Sequence, residues 1–125
     1  MTDNTTTITV QGIYAGIAVS NFEAGVAWYS KFMGRAPDDR PMPQLAQWRN
    51  MGKAGLQVWD DAARAGKSRA TIVVPVLATE GERLAAEGIG FVMKAEGDFG
   101  RVATVRDPEG NEIALAEPPK GFAGE

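Results

Sequence analysis

Apolar residues alternate with polar or small residues along seven short stretches of the chain. Alternation with a period of two is typical of strands that bury one face. Each stretch is bounded by residues that favour turns, chiefly glycine, proline, aspartate and asparagine. The pattern therefore predicts strands at residues 8–19, 45–50, 55–60, 70–76, 89–94, 102–106 and 112–116.

Two further segments repeat apolar residues at the wider spacing of an amphipathic helix. In the first, Ser20 and Glu23 have the spacing of a capping box, which predicts that the helix begins there. Gly34 stands where a left-handed helix end is expected. In the second, Thr79 and Glu82 have the same capping-box spacing.

These elements occur in the same order twice: a strand, a helix, then two or three strands. The two repeats span approximately residues 8–60 and 70–117, and a polar, alanine-rich linker separates them. Such a duplication predicts an α+β fold in which two sheets meet and helices cover one side. Residues 8–117 are expected to form a single domain. Residues 1–7 are expected to be disordered and residues 118–125 to form a loose tail, because both lack apolar periodicity.

Composition narrows the possible functions. A chain of 125 residues with 44% hydrophobic content can bury one core, and its net charge of −3 with no basic run argues against nucleic acid or an anionic membrane as partner. Its apolar stretches are too short to span a bilayer, and its first residues do not resemble a signal peptide. The absence of cysteine excludes disulfides and fits a cytoplasmic location. Histidine, the commonest metal ligand, is also absent.

Strand parity divides the predicted sheets into two faces. One face is entirely apolar and is expected to pack on the helices. The opposite face is mixed and rich in small residues, and it carries Tyr14, Gln57, Trp59 and Thr71. Small residues leave volume, and these four side chains supply the aromatic and polar groups of a ligand pocket. The alternative interpretation is a dimer interface or a solvent-exposed sheet face.

Three other residues are candidates for the same pocket. Trp48 is a further aromatic that can stack on a planar ligand, although large aromatics are as often core residues. Arg101 can meet an anionic ligand at the rim, with a solvated surface arginine as the alternative. Glu112 shares its face with Ala114, so its carboxylate can reach the mouth of the pocket.

Four pieces of the chain together resemble the vicinal oxygen chelate superfamily, which includes glyoxalases, bleomycin-resistance proteins and extradiol dioxygenases. They are residues 17–24, the Trp28-Tyr29 pair ahead of Gly34, residues 84–88, and residues 107–115. The resemblance covers residues 12–117. It implies two βαβββ modules that form an open, cup-shaped mixed β-barrel with helices on the outer face, and a homodimer.

Metal enzymes of that superfamily hold one divalent ion with residues from the first and last strands of each module. By spacing, the resemblance places those positions on Tyr14, Gln57, Thr71 and Ala114. Only Gln57 is a plausible ligand, because phenol, hydroxyl and methyl groups do not replace imidazole and carboxylate around a divalent ion. The expectation is therefore a member with no metal and no cofactor.

The first functional hypothesis is metal-independent binding of a small planar or amphipathic molecule, similar to the sequestration performed by bleomycin-resistance proteins. The second is a metal-dependent lyase, isomerase or dioxygenase, as in the glyoxalase-like relatives. A metal-free enzyme that uses Tyr14 or Glu112 as acid or base is the third. The fourth is an interaction module whose cup is filled.

Overall fold

The computed structural model describes residues 7–120 and contains eight strands and two helices within that range. Most of the predicted disordered N-terminus (1–7) and of the predicted tail (118–125) lies outside the described residues. In chain order the elements are β1 (Ile13–Val19), α1 (Phe22–Met33), β2 (Asp39–Met42), β3 (Leu45–Met51), β4 (Ala54–Asp60), β5 (Arg69–Val73), α2 (Leu77–Ala86), β6 (Met93–Gly97), β7 (Gly100–Arg106) and β8 (Glu112–Glu117).

The strands form two four-stranded sheets with the same topology. The first sheet has the order β1-β4-β3-β2 and the second has the order β5-β8-β7-β6. In each, the first strand of the module pairs in parallel with the last, and the other pairings are antiparallel. The predicted α+β fold built from two βαβββ modules is confirmed. Neither sheet closes on itself, which agrees with an open cup.

One continuous hydrophobic core joins the two modules. It contains the face that strand parity predicted to be apolar, together with the inward-facing side chains of both helices. Its fully buried large side chains include Ile17, Val19, Tyr29, Leu56, Val58, Leu84, Val105 and Ile113. Because the helices lie on this side of both sheets, the other side of the sheets is left uncovered by helix. Neither helix of the described chain is long and apolar enough to cross a membrane.

The turn between β7 and β8 connects the second module to the first through buried hydrogen bonds. Asn111 is fully buried, and its Nδ2 donates to the carbonyl of Ala18 (2.9 Å) and to Asp107 Oδ2 (2.7 Å). Its Oδ1 accepts from the backbone N–H of Ser68 (2.7 Å). The hydroxyl of Tyr29 on α1 donates to the same Asp107 Oδ2 (2.8 Å). Every polar atom of this buried cluster is therefore paired, as a low-dielectric interior requires.

Glu109, in the same turn, binds the beginning of α1. Its carboxylate accepts from the backbone N–H groups of Ser20 (2.8 Å) and Asn21 (3.0 Å) and from the Ser20 hydroxyl (2.8 Å). Desolvation acts to raise the pKa of Glu109, but these hydrogen bonds outweigh it, so the net pKa lies below the usual value. An anion at this end of α1 also interacts favourably with the helix dipole.

Two other side chains secure the helix ends across the fold. Arg83 of α2 donates to the carbonyl of Lys31 (3.1 Å) and to that of Phe32, both in the last turn of α1. Glu117, at the end of β8, accepts from the N–H of Leu77 (2.7 Å), the first residue of α2. Helix ends expose unpaired backbone groups, and here residues distant in sequence pair with them.

Neither predicted capping box is correct. The cap of α1 is Asn21, whose Oδ1 accepts from Ala24 N (3.2 Å), while the Ser20 hydroxyl is engaged by Glu109. In the second module, α2 begins at Leu77, two residues before Thr79, and has no side-chain cap from its own N-cap residue. The left-handed end of α1 at Gly34 is confirmed by its φ of 82°.

Several strand predictions also need correction. The strand predicted at residues 8–19 begins only at Ile13, and the strand predicted at residues 70–76 ends at Val73. Of the strand predicted at residues 89–94, only Met93 and Lys94 belong to a strand, because Ile89 is buried in the core directly after α2 and β6 begins at Met93. In the proline-rich segment, where no strand was predicted, Asp39–Met42 forms the edge strand β2. An edge position tolerates the proline at position 41, because the outer side of an edge strand needs no donor.

We predict that replacing Asn111 by alanine lowers the free energy of unfolding by roughly 2–4 kcal/mol, because the buried Ala18 carbonyl and Asp107 carboxylate lose their partner. Urea unfolding at neutral pH measures the effect. Asn21→Ala removes a solvent-exposed cap and should cost only about 1 kcal/mol. Equal losses in the two variants would contradict a central role for Asn111.

We also predict that Glu109→Gln makes stability less dependent on pH in the acid range. A lowered folded-state pKa stabilises the fold above the unfolded value near 4.5, and that contribution disappears as the pH falls through the folded-state pKa. The variant should therefore lose stability relative to wild type at pH 7 and converge with it once the pH falls below the folded-state pKa. Parallel stability curves for the two proteins between these pH values would refute the assignment.

Candidate functional site

The face of both sheets that lies opposite the helices is called here the open face. On the first sheet it carries two aromatic rings, each lying over a glycine of the neighbouring strand. The ring of Tyr14 on β1 covers Gly55 on β4, where a Cβ would collide with its ring carbons. The indole of Trp59 on β4 covers Gly16 on β1, with Nε1 at 3.7 Å from a Cβ placed there. Glycine at position 55 thus lets the Tyr14 ring lie against the sheet.

A chain of side-chain hydrogen bonds continues across this face. Trp59 Nε1 donates to Gln57 Oε1 (3.1 Å), and Gln57 Nε2 donates to Gln47 Oε1 (2.9 Å). Gln47 Nε2 in turn donates to Asp39 Oδ1 (3.3 Å) on the edge strand. Gln57 is therefore held in one orientation between a tryptophan and a glutamine, and its carbonyl oxygen already accepts a hydrogen bond.

On the second sheet, the open face is a regular grid of three strands. Because directly paired residues point to the same face, each row of the grid takes one residue from β5, one from β8 and one from β7. The two rows nearest the start of β5 are Arg69-Glu112-Arg106 and Thr71-Ala114-Thr104.

The first row is an ion-pair triad. Arg106 donates to Glu112 Oε2 from both Nε (3.2 Å) and Nη2 (3.1 Å). Arg69 Nε lies 3.7 Å from Glu112 Oε1, which is an ion pair beyond hydrogen-bond length. The triad therefore carries one positive charge more than it carries negative charges.

Two cavities adjoin these surfaces. The larger, of about 680 Å³, lies between β1, β4 and β5 and has Tyr14, Met51, Thr71 and Val73 among its lining residues. The smaller, of about 350 Å³, lies on the second sheet and is lined by Arg69, Ala70, Thr71, Thr104, Glu112 and Ala114. Thr71 lines both, so the two cavities are neighbours.

The structure brings together most of the residues that the sequence predicted. Tyr14 and Thr71 share the larger cavity, and Thr71 and Glu112 share the smaller one. Gln57 and Trp59 lie on the open face beside Tyr14, with both side chains half-buried. These five residues are placed on the predicted face, and their role in binding is taken up below.

Trp48 does not belong to this face. Its side chain has no exposed surface, its strand partner is the buried Leu56, and its Nε1 donates to the carbonyl of Arg35 (2.9 Å). Parity on β3 therefore turns Trp48 into the core, and the prediction that it lies near a ligand is wrong.

Arg101 also lies elsewhere. It is paired with Glu117 and stands two residues before the buried Ala103, so it is on the helix side of β7. There it forms an ion pair with Glu96 (3.4 Å) at the far end of the second sheet. The prediction that Arg101 reaches the rim of the pocket is wrong for the same reason of parity.

Arg69 and Thr104 were missed by the sequence reasoning. The strand predicted at residues 70–76 began one residue too late to include Arg69, and parity was not applied to the strand predicted at residues 102–106. Extending the alternation by one residue on β5 and along β7 places both side chains on the open face.

Comparison with solved structures places this architecture among known proteins. A glyoxalase/bleomycin resistance protein from Catenulispora acidiphila superposes with a TM-score of 0.80 at 29% identity, covering 86% of this chain and 98% of that one. A bleomycin-binding protein from Streptomyces verticillus, solved with copper(II)-bleomycin, gives 0.68 at 19% identity, covering 90% and 100%. A lactoylglutathione lyase from Agrobacterium tumefaciens gives 0.66 at 18% identity, covering 88% and 96%.

The chain therefore has the fold of the vicinal oxygen chelate superfamily. The resemblance noted in the sequence is thereby confirmed, over nearly the full length of these neighbours. No protein-family profile and no curated protein sequence matches the chain.

The two modules of the fold are equivalent, and aligning one with the other corrects one of the four predicted metal-ligand positions. Tyr14 lies seven residues before the N-cap of α1, and the residue seven before the N-cap of α2 is Arg69. Strand register agrees, because Thr71 pairs with Ala114 as Gly16 pairs with Gln57. Arg69 rather than Thr71 is therefore the counterpart of Tyr14. Thr71 was chosen by counting back from Val76 as the end of the strand. Val76 is instead the N-cap of α2, and β5 ends at Val73.

The corrected positions do not fit a divalent ion. Tyr14, Gln57, Arg69 and Ala114 offer one amide oxygen, which already accepts from Trp59, and a guanidinium that repels cations. Within residues 7–120, no three His, Cys, Asp or Glu side chains are grouped so as to hold a metal. The donor set of a vicinal oxygen chelate metal centre is thus replaced by aromatic, amide and cationic groups.

We predict that Gly55→Ala destabilises the protein by about 1–3 kcal/mol, since its Cβ would collide with the Tyr14 ring and lie 2.6 Å from the Trp48 carbonyl oxygen. Gly16→Ala is the matched control, because its Cβ meets Trp59 only at ordinary contact distance and should change stability by less than about 0.5 kcal/mol. Thermal unfolding measures both. Equal tolerance of the two changes would contradict the placement of the Tyr14 ring.

Proposed function

We propose that this protein binds a small planar or amphipathic molecule on its open face, without a metal ion and without chemical conversion. Tyr14 and Trp59 supply aromatic surfaces, and Gln57, Thr71 and Glu112 supply polar groups around them. The larger cavity beside Tyr14 receives the apolar body of the ligand.

The observation that carries this proposal is the exposed aromatic ring of Tyr14 at the wall of a cavity of about 680 Å³. This volume is within the range of small-molecule sites, and the lining is mainly apolar with few polar groups, as in most such sites. The side chain of Tyr14 is 41% exposed although it is flanked by the apolar Ile13, Ala15 and Ile72. A flat ring held on a sheet offers contact area at little cost in conformational entropy.

The structural neighbours give support of a different kind. One of them is a bleomycin-binding protein solved with copper(II)-bleomycin, and another is an antibiotic-binding protein from Streptomyces. Binding of an antibiotic is thus a use made of the same architecture by other proteins, although fold alone does not determine function.

Binding is favoured over acid-base catalysis by the surroundings of the candidate acid and base. Glu112 already serves as the partner of Arg106 through Oε2 and lies 3.7 Å from Arg69, so its carboxylate acts as an ion-pair partner in the structure. The ring of Tyr14 lies flat over Gly55, which suits stacking on a ligand.

We predict that a planar compound found by screening will change tryptophan fluorescence through Trp59. Trp59→Phe should abolish most of the signal, and Tyr14→Ala should weaken affinity roughly tenfold because a stacking surface is lost. Trp28→Phe is the control, since Trp28 is a half-buried residue of α1 that stacks on Phe32 away from the open face. Equilibrium titration of the four proteins measures both effects.

The same titration in excess chelator tests metal independence, and affinity should not change. Binding that disappears with chelator and returns with one equivalent of a divalent ion would contradict the proposal. So would a broad panel of planar compounds in which none binds, or in which Tyr14→Ala has no effect.

A further inference from the structure

We infer that the smaller cavity on the second sheet is a carboxylate subsite, in which Arg69, Thr71 and Thr104 bind the anionic end of the ligand above Ala114. This inference rests on the proposed function and specifies its ligand class: a planar or amphipathic carboxylate whose apolar part extends into the larger cavity. Thr71 lines both cavities, so one molecule can occupy the two together.

The grid of the open face places two hydroxyls around a small residue. Thr71 and Thr104 are the strand partners of Ala114 on its two sides. Neighbouring strands are about 4.8 Å apart, so the two threonines are separated by roughly 10 Å at the backbone, and only a methyl group lies between them. A carboxylate above that methyl group can direct one oxygen toward each hydroxyl.

Both hydroxyls are available to a ligand. Thr104 is 8% exposed, and among the described residues no protein group hydrogen-bonds to the hydroxyl of Thr71 or Thr104. No side-chain oxygen of the described chain is fully buried without a partner, so the Thr104 hydroxyl reaches the cavity surface. A hydroxyl that donates to a charged acceptor forms a stronger hydrogen bond than one that donates to a neutral group.

The charge of the cavity favours an anion. Arg106 places two of its nitrogens on Glu112, whereas Arg69 approaches Glu112 only at 3.7 Å through Nε and remains 84% exposed. The remaining N–H groups of Arg69 are therefore free to form a bidentate contact with a carboxylate. Arg69, Arg106 and Glu112 together carry one net positive charge, although the whole chain carries a net charge of −3.

The absence of a side-chain carboxylate at position 114 is part of the same arrangement. By the superfamily resemblance, position 114 is one of the four metal-ligand positions of the metal enzymes, and here it is alanine. The carboxylate of a ligand can fill the space that the missing side chain leaves, with a guanidinium in place of a metal ion as its counter-charge.

Two probes of matched shape test the subsite: naphthalene-2-carboxylate and the neutral naphthalene-2-carboxamide. Calorimetric titration at low ionic strength should give about tenfold tighter binding for the carboxylate, the size of effect expected for one charge-assisted hydrogen-bond pair. Arg69→Gln should bring the ratio of the two affinities close to one and leave the carboxamide unaffected. Added salt should reduce the ratio as well.

Arg64→Gln is the matched control, because Arg64 is 83% exposed, like Arg69, and does not line either cavity. Its ratio of affinities should equal that of the wild type. Thr71→Val and Thr104→Val preserve shape while removing a hydroxyl, and each should lower carboxylate affinity by roughly fivefold. Ala114→Glu should abolish the preference for the carboxylate by placing a second carboxylate in the same space.

The possible results distinguish the carboxylate subsite from the proposed small-molecule binding on which it rests. Equal affinity for the two probes, or a preference that survives Arg69→Gln, overturns the carboxylate subsite and leaves small-molecule binding standing. Failure of both probes to bind counts against both proposals for planar ligands of this kind. Circular dichroism of each variant identifies any loss of binding that is due to unfolding.

Discussion

The buried pair of Asp107 and Asn111 is the interaction on which the arrangement of the two modules depends. It links the turn before β8 to the end of β1, to the segment before β5 and to α1. Glu109, from the same turn, binds the first backbone N–H groups of α1. Because these contacts are made between residues distant in sequence, they bring β1 and β5 side by side and so make the open faces of the two sheets neighbours.

The candidate site follows from that placement. Its larger cavity lies between strands of different modules, so neither module contains the site alone. The aromatic surface needs Gly55, since a Cβ at that position would collide with the Tyr14 ring that lies against the sheet. The polar part needs the register of β5, β8 and β7, which aligns two arginines around Glu112 and two threonines around Ala114.

Much of the fold was predictable from the sequence because its signals are local. Alternation identified the face that becomes the core, and the turn at residues 107–111 placed the last strand in register. The helix starts were not predictable, because Ser20 and Leu77 are held by carboxylates from far along the chain, Glu109 and Glu117. A capping-box pattern considers only residues close in sequence, so it does not detect such distant partners.

The site was predicted in part for the same reason. Tyr14, Gln57 and Trp59 follow from parity on β1 and β4, which both lie almost entirely within the predicted strands. Trp48 and Arg101 were misplaced because parity was not applied to β3 and β7, where each turns toward the helix side. Arg69 was overlooked because the predicted strand began one residue late, although Arg69 gives its triad with Glu112 and Arg106 a net positive charge.

Ligand binding on the open face without a metal is the central claim, and backbone amide chemical-shift mapping tests it most directly. Titrating naphthalene-2-carboxylate into isotope-labelled protein in excess chelator should perturb amides of β1, β4, β5 and β8, clustered around Tyr14, Thr71 and Ala114. Shifts confined to α1 and α2, or shifts that appear only after a divalent ion is added, would contradict the account.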